Sequence, residues 1–119
     1  MTARAPATAR GAVARSMSER ELQDAVIAMA KAYSWRCCHF RPAQTAKGWR
    51  TALQGDVGFP DLVCLRKGRL LALELKSSKG KATAEQLAWM EDFAAVEGCE
   101  AYVLHPEHWL NGRVEDLLR

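Results

Sequence analysis

The stretch from Gly58 to Lys76 constrains the fold more than any other part of the chain. It reads as a strand, a tight turn and a second strand. Gly58 and Pro60 mark a loop that delivers Asp61 to the start of an apolar run, Leu62-Val63-Cys64-Leu65. Lys67-Gly68 suits a two-residue hairpin turn, because glycine accepts the positive φ that such turns require. The return strand runs Leu70-Leu71-Ala72-Leu73-Glu74-Leu75-Lys76, and its apolar run up to Glu74 suggests a strand covered on both faces. With Lys67-Gly68 at the tip, the register sets Asp61 opposite Glu74. Glu74 and Lys76 are two apart, so their side chains share one face of the strand.

Two carboxylates and one ammonium are therefore expected at the same end of a hairpin. Converging oxygen anions suit a hard cation such as Mg²⁺, which keeps several waters and bridges to a phosphate; Mn²⁺ can substitute. A lysine beside them can orient or deprotonate a water and offset charge that develops on phosphorus. The simpler reading is a strand-end salt bridge of Lys76 with Glu74 or Asp61. Against it stands the cost of burying charge beside an apolar strand without a task.

Upstream, Ser18-Glu19-Arg20-Glu21 has the pattern of a capping box that opens a helix. Leu22, Val26, Met29 and Tyr33 follow at helical spacing and mark its buried face. At 100° per residue, Glu19 lies about 50° from the centre of that face and Glu21 about 110° away. Glu21 is also occupied in reaching back to the Ser18 N–H, so Glu19 is the glutamate expected to point toward the site. Gln23 flanks the same face and reads equally as a solvated residue or a substrate contact. Downstream, Thr83-Ala84-Glu85-Gln86 is a second capping box, opening a helix that runs to about Glu97 with Gly98 as its stop. Leu87, Met90, Phe93 and Ala94 are its expected buried face, and capping Thr83 is the least that Gln86 does.

These residues resemble a known group of enzymes. Pro60-Asp61 … Glu74-Leu75-Lys76 is similar to the signature of the PD-(D/E)XK nucleases. The longer string Gly58-Phe59-Pro60-Asp61-Leu62-Val63 … Glu74-Leu75-Lys76-Ser77 … Gln86 resembles the VRR-NUC branch and, more distantly, archaeal Holliday-junction resolvases. The resemblance runs from about Ser18 to about Pro106. It implies an α/β restriction-endonuclease-like fold, a mixed sheet flanked by helices in the order α-β-β-β-α-β-α. It implies Mg²⁺-dependent hydrolysis of DNA phosphodiesters, with Asp61, Glu74 and the Leu75 carbonyl as metal ligands. Lys76 positions the attacking water, and Glu19 holds a second ion or a water of its shell. Gln86 is carried over to the vicinity of the site. Branched DNA such as a four-way junction is the expected substrate, and a homodimer the expected state, because such enzymes cut two strands. Two other readings stay open: a nucleic-acid-binding module of the same fold that does not cleave, and a subunit that needs a partner.

Composition agrees with one domain. The chain has 119 residues and is 49% hydrophobic, enough for a single core. Residues 1–17 hold Arg4, Arg10 and Arg15 and no acid, so the formal charge of +3 belongs to them and the remainder is balanced. They lack periodicity and read as a disordered basic tail, leaving 18–119 as the nuclease domain. Charge is segregated instead along the chain: 66–81 is basic apart from Glu74, and 85–100 is acidic. The basic run can track a phosphate backbone, and Ser77, Lys79 and Lys81 are expected beside the paired carboxylates as phosphate contacts.

Trp35 to Arg41 reads as the first strand, closed by Pro42. The connection 42–60 is long for so small a domain. Within it Lys47 and Arg50 offer charge to DNA, while Trp49 reads either as a stacking surface or as an anchor on the core. Glu100 to His105 is a further strand, and Trp109 with Val114, Leu117 and Leu118 fits a short closing helix. His105-Pro106-Glu107-His108 does not read as a metal pair, because Pro106 interrupts it. Cys37, Cys38, Cys64 and Cys99 are expected reduced, in a cytoplasmic protein. No stretch is long enough to span a membrane and no small-molecule cofactor is implied.

Overall fold

A computed structural model describes residues 7–40, 43–46, 48–50 and 55–119, with the side chains of 7–10, 43–45, 49 and 50 outside the description. The chain runs α1 (Ala7–Ser16), α2 (Glu19–Ala32), β1 (Arg36–His39), β2 (Ala43–Thr45), β3 (Gly48–Arg50), β4 (Leu62–Arg66), β5 (Arg69–Leu75), α3 (Ala84–Ala94), β6 (Cys99–Leu104), α4 (Pro106–Leu110) and α5 (Arg113–Leu118). Four strands form one mixed sheet in the order β1-β4-β5-β6, and β2-β3 is a separate hairpin. The architecture is a mixed α/β fold with this sheet flanked by helices.

The central hairpin carries the register expected from its turn. Leu62 pairs with Leu73 and Arg66 with Arg69, so the next step outward sets Asp61 against Glu74. Lys67 and Gly68 both have positive φ, 48° and 79°, the backbone of a turn whose twist matches its strands. β5 is the best-covered strand, with Leu71 through Leu75 all buried. It has β4 on one side and β6, parallel, on the other, with Glu74 in register with Val103.

One face of the sheet carries the main core. Leu71, Leu73 and Leu75 of β5 join Leu62 and Cys64 of β4, and Leu22, Val26 and Ala30 of α2 close over them with Val114 and Leu118 of α5. The two-residue alternation of a strand puts Ala72 and Glu74 on the opposite face, where α3 packs across β5 and β6. Ser18 and Glu21 form the expected capping box of α2, and Thr83 and Gln86 that of α3.

Several expectations change. Residues 7–16 are helical rather than a disordered tail: α1 docks on α4, and Ala14 is 1% exposed. Alanine-rich composition, unreadable as an amphipathic pattern, allows close approach of two helices through a small side chain. The 42–60 connection contains the β2-β3 hairpin. The α3 face is rotated from expectation, with Met90 buried but Leu87 48% exposed. The closing helix is two helices: Pro106 opens α4 at its first turn, where proline's missing N–H is harmless, and Gly112 at φ 84° turns the chain into α5.

Candidate active site

The site forms where β4 begins and β5 ends. Gly58 shapes the entry. Its φ is 99°, and an added Cβ would stand 2.7 Å from the Glu85 carbonyl carbon and 2.9 Å from the Gln86 nitrogen. The loop therefore lies directly on the first turn of α3. The Trp89 indole donates to the Val57 carbonyl at 3.0 Å, and Phe59 packs edge-on against Phe40, Trp89 and Phe93. This clamp fixes Pro60, which is buried, and so aims Asp61.

Asp61 Oδ2 accepts a hydrogen bond from the Leu75 N–H at 2.9 Å. The carboxylate thereby crosses from the start of one strand to the end of the other. Glu74 is 0% exposed, and neither of its carboxylate oxygens has a hydrogen-bond partner among the described residues. Lys76 Nζ stands 3.6 Å from Glu74 Oε1, an ion-pair distance longer than a hydrogen bond. Burial first, and the neighbouring Asp61 second, push the Glu74 carboxyl up to about 8, against the pull of Lys76. Lys76 is itself held from behind, its N–H donating to the Leu104 carbonyl at 2.9 Å.

Glu19, the first residue of α2, is still open to solvent. Partial burial raises its carboxyl, the Lys76 ammonium lowers it and the Asp61 carboxylate raises it again. It therefore belongs to the same electrostatic group. Gln86 lies at the start of α3, with its side-chain oxygen accepting from the Thr83 N–H at 2.9 Å; its role there is the cap. Ser77 offers its carbonyl to His105 Nδ1 at 2.9 Å, and the Ser78 hydroxyl donates to Glu107. Lys79 and Lys81 are exposed on the following loop. Lys47 lies outside the described residues, as does the side chain of Arg50 on β3.

The basic run does not act as one surface. Arg66 and Arg69 stand at the far end of the hairpin. Arg66 donates to the carbonyls of Tyr33, Leu118 and Arg119, and lies 4.4 Å over the Trp35 ring. Arg69 forms a two-pronged pair with Glu100, at 2.8 Å through Nε. Only Lys76, Lys79 and Lys81 remain at the carboxylate end.

Asp61 and Glu74 are the residues able to hold a cation. Among the described residues no group of three or more His, Cys, Asp or Glu side chains is placed to hold a metal ion, so Asp61 and Glu74 stand as a pair. Two carboxylates with open positions suit a hard dication that keeps its waters, rather than a structural zinc. Glu74 is buried, makes no hydrogen bond and meets Lys76 only at ion-pair distance, so a cation beside it would offset part of the cost of burying its charge. Sequence reasoning set His105 aside as a metal ligand and did not single out Val103, though both lie beside the site. They reach the site through the parallel β5-β6 pairing, which no local turn announces.

Compared with known proteins, the chain matches no family model and no curated protein sequence. No helix among the described residues is long and apolar enough to cross a membrane.

Proposed function

We propose that the chain is a Mg²⁺-dependent endonuclease of the PD-(D/E)XK type, with a restriction-endonuclease-like fold, that hydrolyses DNA phosphodiester bonds in branched structures such as four-way junctions and flaps. The observation that carries this reading is the buried Glu74 carboxyl, whose oxygens make no hydrogen bond, next to Asp61 and with Lys76 at ion-pair distance. A structural ion pair has no need of that arrangement, since a surface position would hold Lys76 and Glu74 at less desolvation cost.

Asp61, Glu74 and the Leu75 carbonyl hold the cation. When bound, the ion supplies Lewis acidity to the scissile phosphate and offsets charge on the leaving oxygen. Lys76 holds its ammonium 3.6 Å from Glu74 Oε1, where it would orient the attacking water. Glu19, which interacts electrostatically with Lys76 and Asp61, adds negative charge that would draw a hydrated cation toward the pair. Lys79 and Lys81 neutralise phosphates flanking the cut. The small domain offers little surface for reading sequence, which favours recognition of DNA shape. A symmetric pair of subunits suits cleavage of two strands, and the four free cysteines suit a reducing cytoplasm.

The test is cleavage of labelled four-way junction, flap, single-stranded and linear duplex DNA with Mg²⁺, with Mn²⁺ and with EDTA, with Lys76→Ala run alongside. Metal-dependent cutting of the branched substrates that vanishes in Lys76→Ala is the expected result. Equal cutting of every substrate would remove the branched-DNA assignment. Binding without cutting in either metal would replace the nuclease with a binding module.

A further inference from the structure

The face of the sheet that carries Glu74 continues, one strand over, into a groove of about 720 Å³. Its walls are the 78–82 loop, Leu87 of α3, Val103 of β6 and His105. The groove is wide open to solvent, a shape suited to a segment of a larger ligand and not to an enclosed small molecule. Val103 is the direct register partner of Glu74, and neighbouring strands stand only about 4.8 Å apart. The groove is therefore the immediate continuation of the carboxylate site, on the side away from β4.

Its chemistry is divided. Ala82, Leu87 and Val103 make an apolar floor, and Leu87 remains 48% exposed although it belongs to the helix stripe that ordinarily packs inward. The rim is cationic and polar, with Lys79 and Lys81 exposed. The loop is anchored so that this rim is kept: Ser77 is tied to His105, Ser78 to Glu107, and the Gly80 N–H donates to the Ser77 carbonyl at 3.0 Å. With His105 Nδ1 committed to Ser77, Nε2 is the ring nitrogen able to meet a ligand.

An apolar floor with a cationic rim, beside a phosphodiester site, matches one nucleotide taken out of its stack. We propose that this groove holds the base and sugar of an unpaired nucleotide next to the scissile phosphate, with Lys79 and Lys81 on its phosphate. This deepens the nuclease reading and rests on it. Within the branched substrates, it narrows the preferred class to DNA that presents an unpaired nucleotide at the cut, such as a flap or a gap, over a fully paired four-way junction. A continuous duplex has its bases stacked and offers the groove nothing.

The experiment is equilibrium binding in EDTA, where no cleavage occurs. A labelled duplex carrying one gap is compared with the same sequence fully paired, for the wild-type chain and for Leu87→Glu and Lys79→Ala. Leu87 is half exposed, so Leu87→Glu retains the fold, checked by its circular dichroism and Tm. The wild-type chain is expected to prefer gapped DNA by roughly tenfold or more, and Leu87→Glu to lose that preference. Lys79→Ala is expected to weaken both DNAs and lower the salt dependence. Equal wild-type affinity for both DNAs, retention of the preference in Leu87→Glu, or no DNA binding at all would each overturn the groove assignment. A measured gap preference in a chain that cuts nothing with Mg²⁺ would uphold the groove and overturn the nuclease, so the two failures are distinct.

Discussion

The Asp61 side chain accepts from the backbone N–H of Leu75 at 2.9 Å. One carboxylate thus serves as a strand-to-strand tie and as a member of the charged cluster. The two tasks separate by substitution. Asp61→Ala leaves the Leu75 N–H without its acceptor and is expected to destabilise the fold by roughly 1–3 kcal/mol. Asp61→Asn keeps an oxygen for that N–H and is expected to lose less than about 1 kcal/mol, a lost neutral hydrogen bond being the larger change. Both variants are expected to lose the rise in Tm on adding Mg²⁺ and all metal-dependent cleavage. Asp61→Asn with a full Mg²⁺ response would remove Asp61 from the ligand set.

Glu74 gives the protein an unusual pH dependence when no metal is bound. Its carboxyl ordinarily titrates at 4.5 and is pushed up to about 8 by burial and by Asp61. Between those values the folded chain holds a proton that the unfolded chain has released. Stability from this group is therefore complete below about 4.5 and is lost as pH rises through about 8. Glu74→Gln mimics the neutral acid at every pH. In EDTA it is expected to raise Tm over wild type at pH 8.5 and to change it little at pH 5. Mg²⁺ is expected to stabilise the wild type at pH 8.5 and to leave Glu74→Gln unmoved. Differential scanning calorimetry at the two pH values, with and without Mg²⁺, reads all of these.

Gly58 has no room for a methyl group. Its Cβ would meet backbone atoms of Glu85 and Gln86 at 2.7–2.9 Å, and its φ of 99° disfavours any L side chain. Gly58→Ala is expected to cost roughly 3 kcal/mol, from overpacking together with backbone strain. Because relief comes only by lifting the 55–60 loop off α3, Asp61 moves with it. Urea unfolding and cleavage rate should fall together; an unaltered midpoint would show that the loop yields without cost.

Arg66 supplies the opposite control. Its guanidinium joins the carbonyls ending α2 and α5, and Trp35 adds an indole donor to Leu118 at 2.8 Å. Arg66→Ala is expected to lose about 2 kcal/mol, through three charged hydrogen bonds partly replaced by water. Lysine cannot reproduce the fork, so Arg66→Lys should recover little. Below the melting transition both variants should keep the wild-type cleavage rate, since Arg66 stands at the far end of the hairpin from Asp61.

What was legible in the chain was the part governed by short-range rules. Lys67-Gly68 announced its turn, and the turn set Asp61 toward Glu74. The two capping boxes announced α2 and α3, and Glu21 and Gln86 took the cap roles that their spacing demanded. What escaped was long-range. The basic residues along 66–81 looked like one surface, but the length of β5 sets Arg69 and Lys76 at opposite ends. Helix α1 packs on α4 and buries a single small residue, Ala14, and one alanine leaves no periodic signature. His105 and Val103 enter the site neighbourhood through parallel pairing, whose partner is decided by the crossover through α3 and not by any turn residue.

The hairpin turn measures out the site from a distance. Lys67 lies about 20 Å from Asp61, and Gly68 about as far from Glu74, six residues along each strand at about 3.3 Å each. Yet a single residue inserted there would slip one strand past the other and turn Glu74 toward the leucines under α2. The tip is consequently free to change its side chains, within the limits of positive φ, but not its length. The spacing of the charges is copied from a loop that never meets them.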